Sequence, residues 1–168
     1  VQPLLLAIVL KLHGHELAIY ENGTFLAGFN ALDFMRLSKA QATFDVQYCS
    51  VEGVRSEVFE RLAHAFAQKV KDRRPVLLDV VTELSQFAAR LPEYTRKARG
   101  LAPPSTAVRD ALLTATEPAT LLFQTLPKAC GHESFALAKP AEASAATDFV
   151  RSLTEAINDL QTAYQKLL

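Results

Sequence analysis

The closing stretch of the chain constrains the fold most. Val150, Leu153, Ile157, Leu160, Tyr164 and Leu167 recur at alternating steps of three and four. That spacing puts them on one narrow seam of a helix running from about Ala141 to Leu167. Arg151, Glu155, Asp159 and Lys166 fall off the seam. Such a stripe has to be covered, because fully burying one of these side chains is worth roughly 1.5–3 kcal/mol. The cover is either more of this chain, another copy of it or another domain.

Two earlier stripes can supply it. Val54, Val58, Leu62, Phe66 and Val70 follow one another at steps of four, with Phe59 and Ala63 beside them. Leu77, Val80, Leu84, Phe87 and Leu91 repeat at three and four. The sequence predicts two amphipathic helices, separated by the breaker KDRRP and ended at Leu91-Pro92, since a residue before proline avoids helical geometry. The last helix is expected to fold back along both. Pro103-Pro104-Ser105 opens another helix, holding Val108, Leu112 and Leu113. Thr116 is read as the cap of the next, with Pro118 in its first turn and Leu121, Leu122, Phe123 and Leu126 following. Cys130-Gly131 closes it, and GHESFALAKPAEASAATD is linker-like.

The first fifty residues follow a different rhythm. Pro3 suits a first helical turn, Leu4 to Leu12 are almost all apolar, and Gly14 is a natural stop. In HELAIYENGTFLAGF, Leu17, Ile19 and Phe25 alternate with more polar positions around Asn22-Gly23. That dipeptide accepts the positive φ angles of a two-residue hairpin, so strands are predicted at about 16–20 and 24–27. Asn30 can cap a helix from Ala31 to about Ala40, with Leu32, Met35, and Leu37 or Phe34 inward. TFDVQYCSV alternates as a third strand. The fold class is therefore mostly α. A small N-terminal α+β unit (helix, hairpin, helix, strand) spans residues 1–52, and a helical bundle with a long C-terminal helix spans 53–168. Together they form one compact fragment.

Composition narrows function mainly by exclusion. Of 168 residues 49% are hydrophobic, ordinary for a folded chain, and 18 basic residues balance 18 acidic ones, so no global field recruits a polyanion or an acidic membrane. The apolar run at the start is too short to span a bilayer. Two distant cysteines, Cys49 and Cys130, give no disulfide framework and point to a reduced, cytoplasmic chain. The beginning at Val1 and the ending AYQKLL look like the edges of a piece cut from a larger protein, although a tag or processing would also explain the start. There is no phosphate loop, GxGxxG, Cys-x-x-Cys or His-Glu-x-x-His, so neither cofactor nor metal is expected. His13, His15 and Glu16 in LHGHE are read as a polar turn, not a metal site. SVEGVRSE and RDALLTATE are read as caps and surface charge, with no histidine placed near a nucleophile. The expectation is a protein without catalytic activity.

Between Lys69 and Arg99, eight basic residues face four acidic ones. Arg73 and Arg74 precede one helix, while Arg96, Lys97 and Arg99 follow it beside Tyr94. An aromatic ring among cations can stack on a base, so these six residues are the candidate nucleic-acid contacts. The competing expectation is that EYTRKARGLAPP is an exposed connector whose charges balance locally.

Three stretches carry a resemblance: LAIYENGTFLAGF, LPEYTRKARGLAPPSTAVRDALLTATEPATLLFQTLPKACG and LTEAINDLQTAYQKLL. Together they resemble the accessory region of large, poorly characterised bacterial ATP-binding proteins found beside phage-defence genes. The resemblance implies that the nucleotide site lies elsewhere in the polypeptide and assigns no role to any residue here. The expected function is a non-catalytic helical interaction module of a larger intracellular protein, contacting other domains or partner subunits. The alternative is a nucleic-acid-binding module using the basic 69–99 region.

Overall fold

The computed structural model describes residues 3–13, 17–26, 29–49, 51, 54–135 and 143–163. Its elements in chain order are α1 (Pro3–His13), β1 (Leu17–Glu21), β2 (Thr24–Phe25), α2 (Ala31–Lys39), a 3-10 turn (Gln41–Thr43) and β3 (Phe44–Tyr48). The helical part follows as α3 (Val54–Phe66), α4 (Leu77–Arg90), α5 (Glu93–Lys97), α6 (Pro103–Leu113), α7 (Pro118–Thr120), a π-helical stretch (Leu121–Thr125), α8 (Leu126–Ala129) and α9 (Ala143–Thr162). The protein is mostly helical, with a small antiparallel sheet near its N-terminus and a long C-terminal helix, as the sequence predicts.

The hairpin turns on Asn22 and Gly23, at φ 49° and 75°. Both lie in the left-handed region that asparagine and glycine tolerate best. Strand order is β2-β1-β3, with Tyr20 opposite Phe25 and Ile19 opposite Val46. The strand period of two gives β1 two different faces. Ala18 belongs to the main core, where Tyr20, Phe25 and Cys49 also pack. Ile19 joins Leu37 and Phe44 in a second, small cluster, with Leu10, Leu26 and Phe29 against it. The sheet is thus a partition, with the bundle on one side and side chains of α1 and α2 on the other.

Asn30 caps α2 as expected. Its Oδ1 accepts from the Leu32 and Asp33 amides, and Asp33 returns a carboxylate to the Asn30 N–H at 2.9 Å. That exchange fixes where the helix starts. Asp33 and Leu37, one turn apart, are buried, and Phe34 and Ser38 are half-buried. Leu32 and Met35 were expected inward, but they lie on the opposite arc with Arg36 and Lys39, and Leu32 is 62% exposed.

The bundle core is built from Val58 and Leu62 of α3, Leu77, Val80, Val81 and Leu84 of α4, Val108 and Leu112 of α6, and Phe149, Leu153 and Leu160 of α9. The described part of the α9 seam, from Leu153 to Leu160, is therefore covered within the chain. The buried arc is wider than the sequence stripe, because Ala146, Phe149, Ala156 and Ala163 are also buried while Val150 is only half-buried. Its small residues allow close approach to α3 and α6. The neighbours were expected to be α3 and α4, and α6 takes the second place. Tyr164 and Leu167 lie outside the described residues, as does Gly14.

Four local expectations are corrected. Helix α3 ends at Phe66, short of Val70, where the Ala67 and Val70 amides close the last turn on Ala63 and Ala67. Leu113 is exposed at the end of α6. The cap of α7 is Glu117, not Thr116, and its carboxylate accepts from the Ala119 and Thr120 amides at 3.1 and 2.6 Å. The segment after Pro92 contains the short helix α5, with Thr95 and Ala98 buried, so it is not simply an exposed connector.

The π-helical stretch has an identifiable cause. Pro127 has no N–H for the Phe123 carbonyl four residues back, and its ring crowds that turn. Leu126 bonds instead to Leu121, and the Phe123 carbonyl accepts from Phe135 N–H at 2.8 Å. Arg55 holds the same return segment. Its Nε donates to the Phe135 carbonyl at 3.1 Å, and its guanidinium sits 5.0 Å from the Phe123 ring centroid.

Candidate interaction surface

Helix α1 is apolar on nearly all sides, and the burial of its described side chains differs between two opposite arcs. Ala7 and Leu10 are half-buried, and Leu10 reaches the Ile19 cluster. Leu5, Ile8, Val9 and Leu12 fall at i, i+3, i+4 and i+7 on the opposite arc, and all four are exposed, Leu12 at 61%. Leu32 and Met35 of α2 and Val46 and Tyr48 of β3 are exposed as well. Eight of the ten large apolar side chains exposed among the described residues thus precede residue 49, and the other two are Tyr94 and Leu113. Single exposed leucines are ordinary, whereas an apolar stripe along one helix has the form of a contact surface.

The basic segment is arranged quite differently. Arg73 grips Asp79 through both terminal nitrogens at 2.7 and 2.8 Å, which also anchors the start of α4 because Asp79 accepts from the Val76 amide. Arg74 lies 3.4 Å from Glu60, and Lys69 pairs with Glu83 at 2.6 Å. At the far end of α4, Arg96 donates to the Ala89 carbonyl and Lys97 pairs with Glu93 at 2.6 Å. Tyr94 is exposed, and Arg99 is exposed without an ion pair among the described residues. Helix α4 has 14 residues, so at about 1.5 Å per residue the two clusters sit some 20 Å apart along it. The six candidate contacts form two small groups, most of whose cations already have partners.

Arg109 escaped the sequence reading. It is only 8% exposed, and its Nη1 donates to the carbonyls of Ala98 and Thr95 at 2.7 and 3.3 Å. Its other contact is Asp110. This arginine fastens the α5 segment to α6. Its position beside Val108 in the apolar period of α6 was the available signal.

Three further features among the described residues bring polar or reactive groups together. A cleft of about 490 Å³ between α3, α4 and α9 is lined by Phe66, Leu84, Phe87 and Ile157 with Lys69, Glu83 and Arg90. Its charges are internally committed, Lys69 to Glu83 and Arg90 to Gln86 at 3.3 Å. His132 and Ser152 lie 3.2 Å apart, a pair the sequence did not bring together, and the His132 ring meets Phe149 edge-on. The contact braces the segment after α8 against α9. Cys49 and Cys130 are half-buried free thiols, and burial raises the pKa of both, Cys130 to about 11, which leaves them protonated and poorly nucleophilic. Burial, then Glu117 and Cys49, push the Tyr20 phenol to about 12. Among the described residues no group of acidic, histidine and cysteine side chains is placed to hold a metal, and no helix is long and apolar enough to cross a membrane. His15 and Glu16 lie outside those residues. No family model, curated protein or solved structure matches the chain.

Proposed function

We propose that this chain is a non-catalytic interaction module of a larger intracellular protein, and that other domains or partner subunits dock on the outer face of its N-terminal α+β unit. The observation that carries this reading is the exposed stripe Leu5, Ile8, Val9 and Leu12 of α1. A helix that shows an apolar arc at that spacing has the form that lays into a groove or against another helix. The α9 seam, the first candidate from sequence, is spent on the protein's own core. The resemblance to the accessory region of bacterial ATP-binding proteins near phage-defence genes supplies a context in which ATP chemistry sits elsewhere and this module makes contacts.

The experiment replaces Ile8 and Leu12 by Ser in the intact gene product. Expected are an unchanged thermal midpoint for this unit and loss of association with its neighbour, seen in sedimentation for a partner subunit or as faster proteolysis between domains. Retained association in both assays overturns the reading.

Nucleic-acid binding is the second reading, favoured by exposed Tyr94 and by Arg99, which is exposed without an ion pair among the described residues. It requires binding that weakens steeply with salt, with a log–log slope near −0.9 per phosphate neutralised.

A further inference from the structure

We infer that β3 is a pairing edge and that its partner is β3 of a second copy of this chain, run antiparallel about a two-fold axis through Val46. The inference rests on the interaction-module reading and names one partner for it.

Among the described residues, strand order β2-β1-β3 leaves one side of β3 without a neighbouring strand. Two hydrogen bonds fix which backbone groups point there. Leu26 N–H donates to the Ile19 carbonyl at 2.9 Å, and Asn22 N–H donates to the Thr43 carbonyl at 2.7 Å. In an antiparallel ladder successive residues direct their N–H and C=O to alternate sides. Ile19 and Glu21 therefore bond toward β2, while Ala18, Tyr20 and Asn22 bond toward β3, where Gln47, Asp45 and Thr43 answer them. Phe44, Val46 and Tyr48 fall between and direct their backbone groups to the open side. The Phe44 N–H is taken by the Gln41 carbonyl. Among the described residues Val46 and Tyr48 make no such alternative bond. Asp45, Val46, Gln47 and Tyr48 are all exposed.

The sequence of β3 is its own complement. With the axis through Val46, the two Val46 residues face each other, Phe44 faces Tyr48, and Asp45 faces Gln47. Apolar residues meet apolar ones on one face, and a carboxylate meets an amide on the other. Gln47 suits that role, because its Oε1 already accepts from Tyr20 at 2.9 Å, leaving its amide hydrogens for Asp45 of the other copy. No like charges face each other, and the chain carries no net charge to oppose self-association. A two-fold pairing satisfies both edges at once. The joined sheet would then end on the two-residue strand β2 at each side, which is too short to template further growth.

Sedimentation equilibrium of this chain over a range of concentrations tests the pairing. The expected result is a monomer–dimer equilibrium, weakened about tenfold or more by Val46→Pro and by Val46→Lys, since a prolyl or lysyl edge blocks strand addition. The Val46 N–H points outward, so Val46→Pro spares the β1–β3 bonds. If that variant does not fold, Val46→Lys decides, because it sets two ammonium groups face to face at the axis. A chain that stays monomeric, or a dimer undisturbed by Val46→Lys, overturns the inference. So does association of the β3 edge with a different polypeptide while the chain alone stays monomeric. None of these outcomes touches the α1 surface, which the Ile8 and Leu12 substitutions test separately.

Discussion

The guanidinium of Arg109 donates to the main-chain carbonyl of Ala98 at 2.7 Å inside the protein, and to that of Thr95 at 3.3 Å. It divides the arginines of this region into two kinds. Arg109 is structural, whereas Arg96 and Arg99 are exposed.

Replacing Arg109 by Met keeps the volume but strands those carbonyls, at a cost of about 1–3 kcal/mol. Replacing Arg96, Lys97 and Arg99 together by Gln should change stability by less than about 1 kcal/mol, since exposed pairs contribute little. Urea unfolding of both variants checks the contrast, and the reverse order would mean that the α5 segment is held from outside. The triple variant also decides the nucleic-acid reading. Salt-sensitive binding that it abolishes would promote that reading over the interaction module.

Gly23 sits at φ 75° with nothing within 4 Å of where a Cβ would stand. Its requirement is conformational, not steric. Gly23→Val should cost about 1 kcal/mol or more through the left-handed backbone alone. An unshifted thermal midpoint would show that the hairpin does not hold this turn.

Ile157 is 6% exposed on α9, within the core shared with α3 and α6. An aspartate there would be an unpaired buried charge. Ile157→Asp should abolish cooperative unfolding, as followed by near-ultraviolet circular dichroism. A variant that stays folded but loses association would return the seam to the role of an interface.

Alkaline pH should weaken the fold in two steps. The Cys130 thiol is raised from 9.0 to about 11 and the Tyr20 phenol from 10.0 to about 12. Raised folded values mean that the unfolded chain releases these protons first. Their contribution is intact below 9.0 and is lost as pH climbs through the folded values. Urea midpoints measured across that window should fall, and Cys130→Ala should reduce the earlier part of the fall, to which the raised Cys49 thiol also contributes.

The elements were legible wherever local chemistry sets them: Asn22-Gly23 for the hairpin, Asn30 for the α2 cap, and the apolar repeats for α3, α4 and α9. Burial was less legible, because periodicity says which residues share a face but not which face is covered. Leu32 and Met35 have the composition of core residues and lie outside, on the arc opposite buried Asp33 and Leu37. Arg109 reverses the error, because its place beside Val108 hints at burial but does not reveal that main-chain carbonyls await it. Glu117 displaced Thr116 because its longer carboxylate reaches two amides at once. The candidate surface was hidden for the same reason. The stripe in α1 is as apolar as the buried ones, and only the packed fold leaves it uncovered.

Amide hydrogen exchange tests the docking face most directly, comparing this chain alone with the same residues in the intact gene product. Docking on α1 requires that the Leu5–Leu12 amides exchange readily in the isolated chain, as thinly packed helices do, and become strongly protected in the intact protein, while α4 and α6 stay unchanged. Equal exchange of Leu5–Leu12 in the two settings would contradict the interaction-module function.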